Sequence, residues 1–282
     1  MNKLRIDQFS VATAGYQQTS LDYALDSIAH NGFGKVELWG AEPHVCWARY
    51  SVENHRQRIR EIAGMLRARG LTMDVYSPEQ MRIYPINIAS PDKYIYTWSK
   101  ELMHLYLEDA AYLGAKKMMV FPGWEYIDQP SDENFQRAAD VIVELGERAE
   151  KLGIDLISEP VDPCESTFVT NLSGLVKLID RTGKVIHPCM DLPAAASAGE
   201  TVGQWIDTVG MPELVHLADG NPDGYIMLGN GENDIYGQLK ALADAGYEGE
   251  IALTFNNPSY YGDPDKPVRA AWSWLIASGL IG

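Results

Sequence analysis

Lys151-Leu-Gly153-Ile-Asp-Leu-Ile-Ser-Glu159-Pro160 is the stretch on which the fold turns. A helical pattern ends in a glycine suited to the left-handed position that closes a helix. A short β-rich apolar run follows and stops at an acid and a proline. The same joint recurs in both directions along the chain: Ala29-His-Asn-Gly32-Phe-Gly-Lys-Val-Glu-Leu38, Ala68-Arg-Gly70-Leu-Thr-Met-Asp74, Tyr112-Leu-Gly114-Ala-Lys-Lys-Met118 and Ala243-Asp-Ala-Gly246-Tyr-Glu-Gly-Glu-Ile-Ala-Leu253. These read equally well as true repetition or as a common local turn, and either way they set up α/β alternation.

Working outward, strand patterns fall at 9–12, 35–39, 72–76, 117–121, 155–158, 185–190, 214–218 and 250–254. Helical patterns follow them at 21–30, 54–69, 93–113, 133–151, 172–181, 202–209, 235–245 and 268–277. The 3.6-residue apolar period is plain at Ile59, Ile62 and Leu66, and again at Ile142, Leu145 and Ala149. Strands that each lead into a helix predict a parallel sheet with crossover helices. Eight such units within 282 residues point to a closed (β/α)8 TIM barrel, expected as one domain over residues 1–282. A doubly wound sheet is the runner-up, but no GxGxxG follows the first strand, where a dinucleotide fold needs it.

Composition narrows the function. Apolar residues make up 46% of the chain, enough for a sizeable core, and the formal charge is −16. Such a surface argues against nucleic acid, whose phosphates need basic partners, and against an anionic membrane face. Cys46, Cys164 and Cys189 are few, scattered and without a CxxC pair, which suggests a reducing compartment and no thiolate zinc site. Met1-Asn-Lys-Leu-Arg-Ile-Asp7 lacks the apolar core of a signal peptide, and no run is long enough to cross a bilayer. The expectation is a cytoplasmic protein.

Glu159, Asp191 and His216 each end or close a run, in Ile154-Asp-Leu-Ile-Ser-Glu159-Pro, Val185-Ile-His-Pro-Cys-Met-Asp191 and Glu213-Leu-Val-His216-Leu-Ala-Asp219. In a barrel, functional groups stand at the carboxyl ends of strands, and neighbouring strand ends lie about 5 Å apart. Two carboxylates and an imidazole gathered there suit a divalent metal, manganese first, with magnesium or cobalt as alternatives. His44, in the loop after the second strand, is a spare acid/base candidate beside the packing role open to any loop histidine. Glu37 is expected to orient His44 or a substrate hydroxyl, since a buried acid needs a partner, and Glu79 to serve similarly at the third strand. Trp39, Tyr76 and Trp124 fall at or just past strand ends, where aromatic faces either meet a ring-shaped ligand or pack under loops.

These residues fit a larger pattern. Gly32-Phe-Gly-Lys-Val-Glu37-Leu-Trp39-Gly-Ala-Glu-Pro43-His44, Tyr76-Ser-Pro78-Glu79, Ser158-Glu159-Pro160-x4-Glu165-Ser166, Met190-Asp191, His216-Leu-Ala-Asp219 and Gly246-Tyr-Glu-Gly249 together resemble the fructoselysine 3-epimerase group of xylose isomerase-like TIM-barrel epimerases. The resemblance runs from about residue 8 to residue 276. It implies Glu159, Asp191 and His216 as metal ligands, Glu159 also as an acid/base group, and Glu165 as a substrate-contacting glutamate. It implies a metal that holds two adjacent oxygens of an open-chain sugar while a proton moves beside the carbonyl.

It also implies a fourth ligand, a glutamate that doubles as the second acid/base group, at the end of the eighth strand. That place reads Glu250-Ile-Ala-Leu-Thr254-Phe-Asn256-Asn257. Asn256 is a candidate to fill the gap and touch substrate. The ketose-epimerase histidine three residues past the aspartate is here Ala194, and its arginine six past the histidine is here Pro222. The expected activity is therefore a metal-dependent sugar epimerase or isomerase. One alternative is elimination from a 3-oxo-sugar conjugate, as in the larger subunit of C-glycoside deglycosidases. Another is a non-catalytic sugar-binding or partner subunit. Expected partners are a small sugar or sugar conjugate and, on the protein side, a second copy or a small partner subunit; nucleic acid and membrane are not among them.

Overall fold

In the computed structural model the described residues are 2–45, 47, 51–80, 86–163, 165–221 and 224–282. Pro222, Cys46 and Cys164 fall outside them. Eight parallel strands close into a barrel: β1 (Phe9–Ala12), β2 (Lys35–Gly40), β3 (Thr72–Pro78), β4 (Lys117–Met119), β5 (Asp155–Ser158), β6 (Ile186–Asp191), β7 (Leu214–Leu217) and β10 (Glu250–Leu253), with β10 paired to both β7 and β1. Around them run α1 (Leu21–His30), α2 (Val52–Ala68), α3 (Lys93–Leu113), α4 (Asp132–Leu152), α5 (Leu172–Arg181), α7 (Val202–Val209), α8 (Ile235–Asp244) and α9 (Asp265–Ser278). The TIM-barrel expectation holds. Two features go beyond it: a one-and-a-half-turn helix, α6 (Leu192–Ser197), directly after β6, and an antiparallel hairpin of β8 (Asp219–Asn221) and β9 (Gly224–Ile226) after β7.

Local chemistry explains the boundaries. Ser20, Ser51, Asp92, Asn171 and Asp234 each accept a hydrogen bond from a backbone N–H of the first helical turn. These caps satisfy donors that the helix itself leaves without partners. Gly114 and Gly153 end α3 and α4 at φ 87° and 68°, the left-handed geometry anticipated for the joints. The fourth strand stops at Met119 rather than at residue 121, yet the Val120 N–H still donates to the Ile157 carbonyl at 2.8 Å.

The core has two parts. One lies between sheet and helices and includes Leu25, Ile62, Met103, Ile142, Leu145 and Trp205. Each such buried side chain contributes about 1.5–3 kcal/mol relative to exposure. The other plugs the barrel interior with Val75, Met119, Phe121, Ile157, Val161, Cys189, Leu214 and Ala252. Side chains alternate across a strand, so the interior residues next above this plug are two positions further along each strand. They are Ser77, Glu159, Asp191, His216 and Thr254, and that step places the site.

Candidate functional site

A cavity of about 450 Å³ opens at the carboxyl ends of the strands. Ala12, Glu37, Trp39, Ser77, Glu79, Phe121, Glu159, Asp191, His216 and Thr254 line it from the strand ends. Gln17, Gln80, Asp162, Glu165, Tyr225 and Asn256 line it from the loops. Six carboxylates face this space, those of Glu37, Glu79, Glu159, Asp162, Glu165 and Asp191, and no lysine or arginine does so among the described residues.

Glu159, Asp191 and His216 meet at its base. His216 Nδ1 is 2.7 Å from Glu159 Oε2 and 4.0 Å from Asp191 Oδ2. From the other side of the ring, Nε2 is 3.0 Å from Glu37 Oε2, both residues being buried. A carboxylate behind a histidine fixes the ring and its tautomer, the usual support of a metal-ligating imidazole. Burial works against charge on His216, but Cys189, Glu159 and Glu37 outweigh it and hold the imidazole well above its ordinary pKa. The site thus favours a positive charge at this spot. Burial, and next the charge of Glu159, raise Asp191 to about 7. Asp191 Oδ1 also accepts the Ala194 N–H at 2.7 Å and so caps α6, while the Tyr225 hydroxyl bonds the same carboxylate.

The donors fit a divalent ion: two carboxylates and one braced imidazole on three neighbouring strands, with the Cys189 thiol beneath them. On the β10 side Thr254 presents a hydroxyl that is buried and has no hydrogen-bond partner.

Of the other residues singled out, Glu37, Trp39, Glu79, Glu165 and Asn256 line the cavity. Trp39 Nε1 donates to Glu79 Oε2 at 3.2 Å, which ties two of them together. Asn256 Oδ1 accepts from Gln17 Nε2 at 2.6 Å at the exposed rim. Three expectations do not match the geometry. His44 is fully buried beneath the mouth with Nδ1 3.3 Å from Thr13 Oγ1, and burial lowers it to about 4, so it is a packed neutral imidazole rather than a spare acid/base group. Tyr76 is also fully buried, lies edge-on to Tyr106, and packs against Gly40, where any Cβ would collide with its ring. Trp124 does not line the cavity; it packs edge-on to Tyr126, and its backbone pairs with the Asn87 side chain.

Tyr225, Gln80, Gln17 and Cys189 are additions. Cys189 was within reach of the sequence, two residues before Asp191 and hence on the same face. Tyr225 arrives on the hairpin, for which no periodicity speaks.

Residues 25–278 match the family model described as xylose isomerase-like TIM barrel. The chain belongs to that family. Within it, the fructoselysine 3-epimerase of Escherichia coli O157:H7 is 25% identical over 259 residues, 88% of this chain and 92% of the relative. A solved L-ribulose 3-epimerase superposes with a TM-score of 0.78 at 18% identity, covering 99% of this chain and 94% of that one. A 3-keto-D-glucoside 4-epimerase from E. coli does so at 0.76 and 17% identity, covering 96% and 99%. At those identities the two structures establish the shared barrel. No described helix is long and apolar enough to cross a membrane.

Proposed function

We propose that this xylose isomerase-like barrel is a divalent-metal-dependent sugar epimerase or isomerase that moves a proton on the carbon beside a sugar carbonyl. The observation that carries the reading is the convergence of Glu159, Asp191 and His216 from three neighbouring strands, with Glu37 bracing the histidine from behind. The similarity to a fructoselysine 3-epimerase over most of both chains supports a sugar or sugar conjugate as substrate.

A divalent ion held by Glu159, Asp191 and His216 would supply electrophilic stabilisation for the negative charge that develops on two adjacent substrate oxygens. Glu159, at the base of the cavity, takes the proton from the carbon beside the carbonyl. Glu165, six residues on and in the wall, holds a substrate oxygen. Trp39 and Phe121 offer apolar faces to the C–H faces of a sugar. A lining of six carboxylates without a described lysine or arginine repels phosphorylated sugars and favours neutral or amine-bearing ones.

Thr254 favours a second reading, elimination of a group β to the carbonyl. Returning a proton to the opposite face requires a second acid/base group, and the β10 end offers only an unpartnered hydroxyl. Elimination requires one base and a proton for the leaving group.

Deuterium exchange in heavy water separates the readings, with ketoses, fructosamines and 3-oxo-glycosides as substrates and metal content measured on the same samples. Deuterium entering beside the carbonyl of an intact sugar, and lost on chelation, is the expected result. Release of an aglycone instead selects elimination. Exchange that persists in metal-free protein overturns the metal-dependent mechanism.

A further inference from the structure

Cys189 stands one interior position below Asp191 on β6, at the boundary between the apolar plug and the polar mouth, and it is fully buried. Its Sγ is 3.4 Å from Glu159 Oε2 and bonds the His216 side chain. One ligand atom each from Glu159, Cys189 and His216 lies within 4.8 Å of the others. Asp191 stands above Cys189, with Oδ1 capping α6, the Tyr225 hydroxyl bonded to the carboxylate, and Oδ2 4.0 Å from His216 Nδ1. On the opposite side Thr254 has no carboxylate to offer.

We propose that Cys189 is a ligand of the ion bound at this site, a sulfur donor beside Glu159 and His216 that directs the site toward zinc or cobalt and away from manganese or magnesium. This rests on the reading of the barrel mouth as a metal site. The warrant is donor chemistry: soft thiolate and imidazole select zinc and cobalt, while sets of oxygen donors suit manganese and magnesium. With Thr254 in place of the β10 carboxylate, Glu159, Asp191 and His216 lack the fourth donor from that strand, and the Cys189 sulfur is a donor already at hand.

Cobalt makes the sulfur visible. The metal-free full chain is titrated with Co(II), bound cobalt is counted by mass spectrometry, and absorbance is followed. The expected result is a thiolate-to-cobalt charge-transfer band in the near ultraviolet that is lost in Cys189→Ser and kept in the double variant Cys46→Ser/Cys164→Ser. In competition, the parent retains zinc over manganese, and Cys189→Ser loses that preference. Stoichiometric cobalt without the band in the parent overturns the sulfur ligand and leaves the metal site standing. A band that survives Cys189→Ser overturns it as well. A parent that binds none of cobalt, zinc and manganese overturns the metal site itself and this proposal with it.

Discussion

The barrel mouth has two unlike sides. From β5 through β7 it presents Glu159, Cys189, Asp191 and His216 within a few ångströms, every one bonded to another of the set or to a neighbour. Across the mouth, the ends of β10 and β1 and the turn after β1 present Thr254, Ala12 and Ala14, with one unpartnered hydroxyl among them. The carboxylate on the inner face of β10, Glu250, is buried at the strand's start, and burial pushes it up to about 7. The groups suited to hold a cation thus lie on one side, and the proposed reaction must draw on that side and on the loops.

Breaking the crowded side has the largest expected effect. Glu159→Gln removes both a metal donor and the proposed base, and deuterium exchange falls about 10²–10⁴-fold together with metal retention. Unchanged metal content in that variant would remove Glu159 from the ligand set.

The bare side is tested next by Glu250→Gln. Glu250 keeps its proton in the folded state up to about 7, against 4.5 for a free glutamate. Between those values the folded chain holds a proton that the unfolded chain has lost, so the wild type loses stability as pH rises through this window. The glutamine variant escapes this, gaining on the order of 3 kcal/mol at pH 8 and almost nothing below pH 4.5. Denaturant unfolding of both proteins at the two pH values reads the difference, and an equal gain at both contradicts the buried, protonated acid.

Glu37→Gln loosens the brace on His216 without touching the other donors, and costs about 10–100-fold in metal affinity. Calorimetric titration measures it; an unaltered affinity would mean that the imidazole needs no support from β2. The smallest effect belongs to Thr254→Glu, which restores a carboxylate to the bare side and tightens divalent-metal binding about tenfold. If affinity does not move, the site ends at β7 and the two sides are functionally separate.

How much of this was legible in the sequence follows from alternation. Apolar runs closed by a functional residue mark β5, β6 and β7, so Glu159, Asp191 and His216 stand out. The same two-residue step marks Cys189. Tyr76, on β3, and Glu79, the residue just past its end, are three apart and cannot both face inward along an extended chain, and Glu79 is the one that lines the cavity. His44 lies past the end of β2, where strand periodicity no longer says which way a side chain points. The hairpin that delivers Tyr225 is held by the Asp219 carboxylate through backbone N–H bonds, which leave no periodic trace.

That hairpin is knit to the turn after it by one side chain. The Asp219 carboxylate accepts the backbone N–H groups of Gly220, Gly229, Gly231 and Asn233, all at 2.8–3.2 Å. Gly231 has no room for a Cβ because Asp219 and the Gly220 carbonyl occupy the space. The described part of the β7–α8 connection is thus tied together by one carboxylate, while Ile226 and Leu228 sink into the core, the Tyr260 hydroxyl accepts the Met227 N–H, and Tyr225 reaches Asp191. A substitution at Asp219 would strip four N–H groups of their acceptor at once, so the shape of the wall beside Asp191 depends on a residue that does not itself line the cavity.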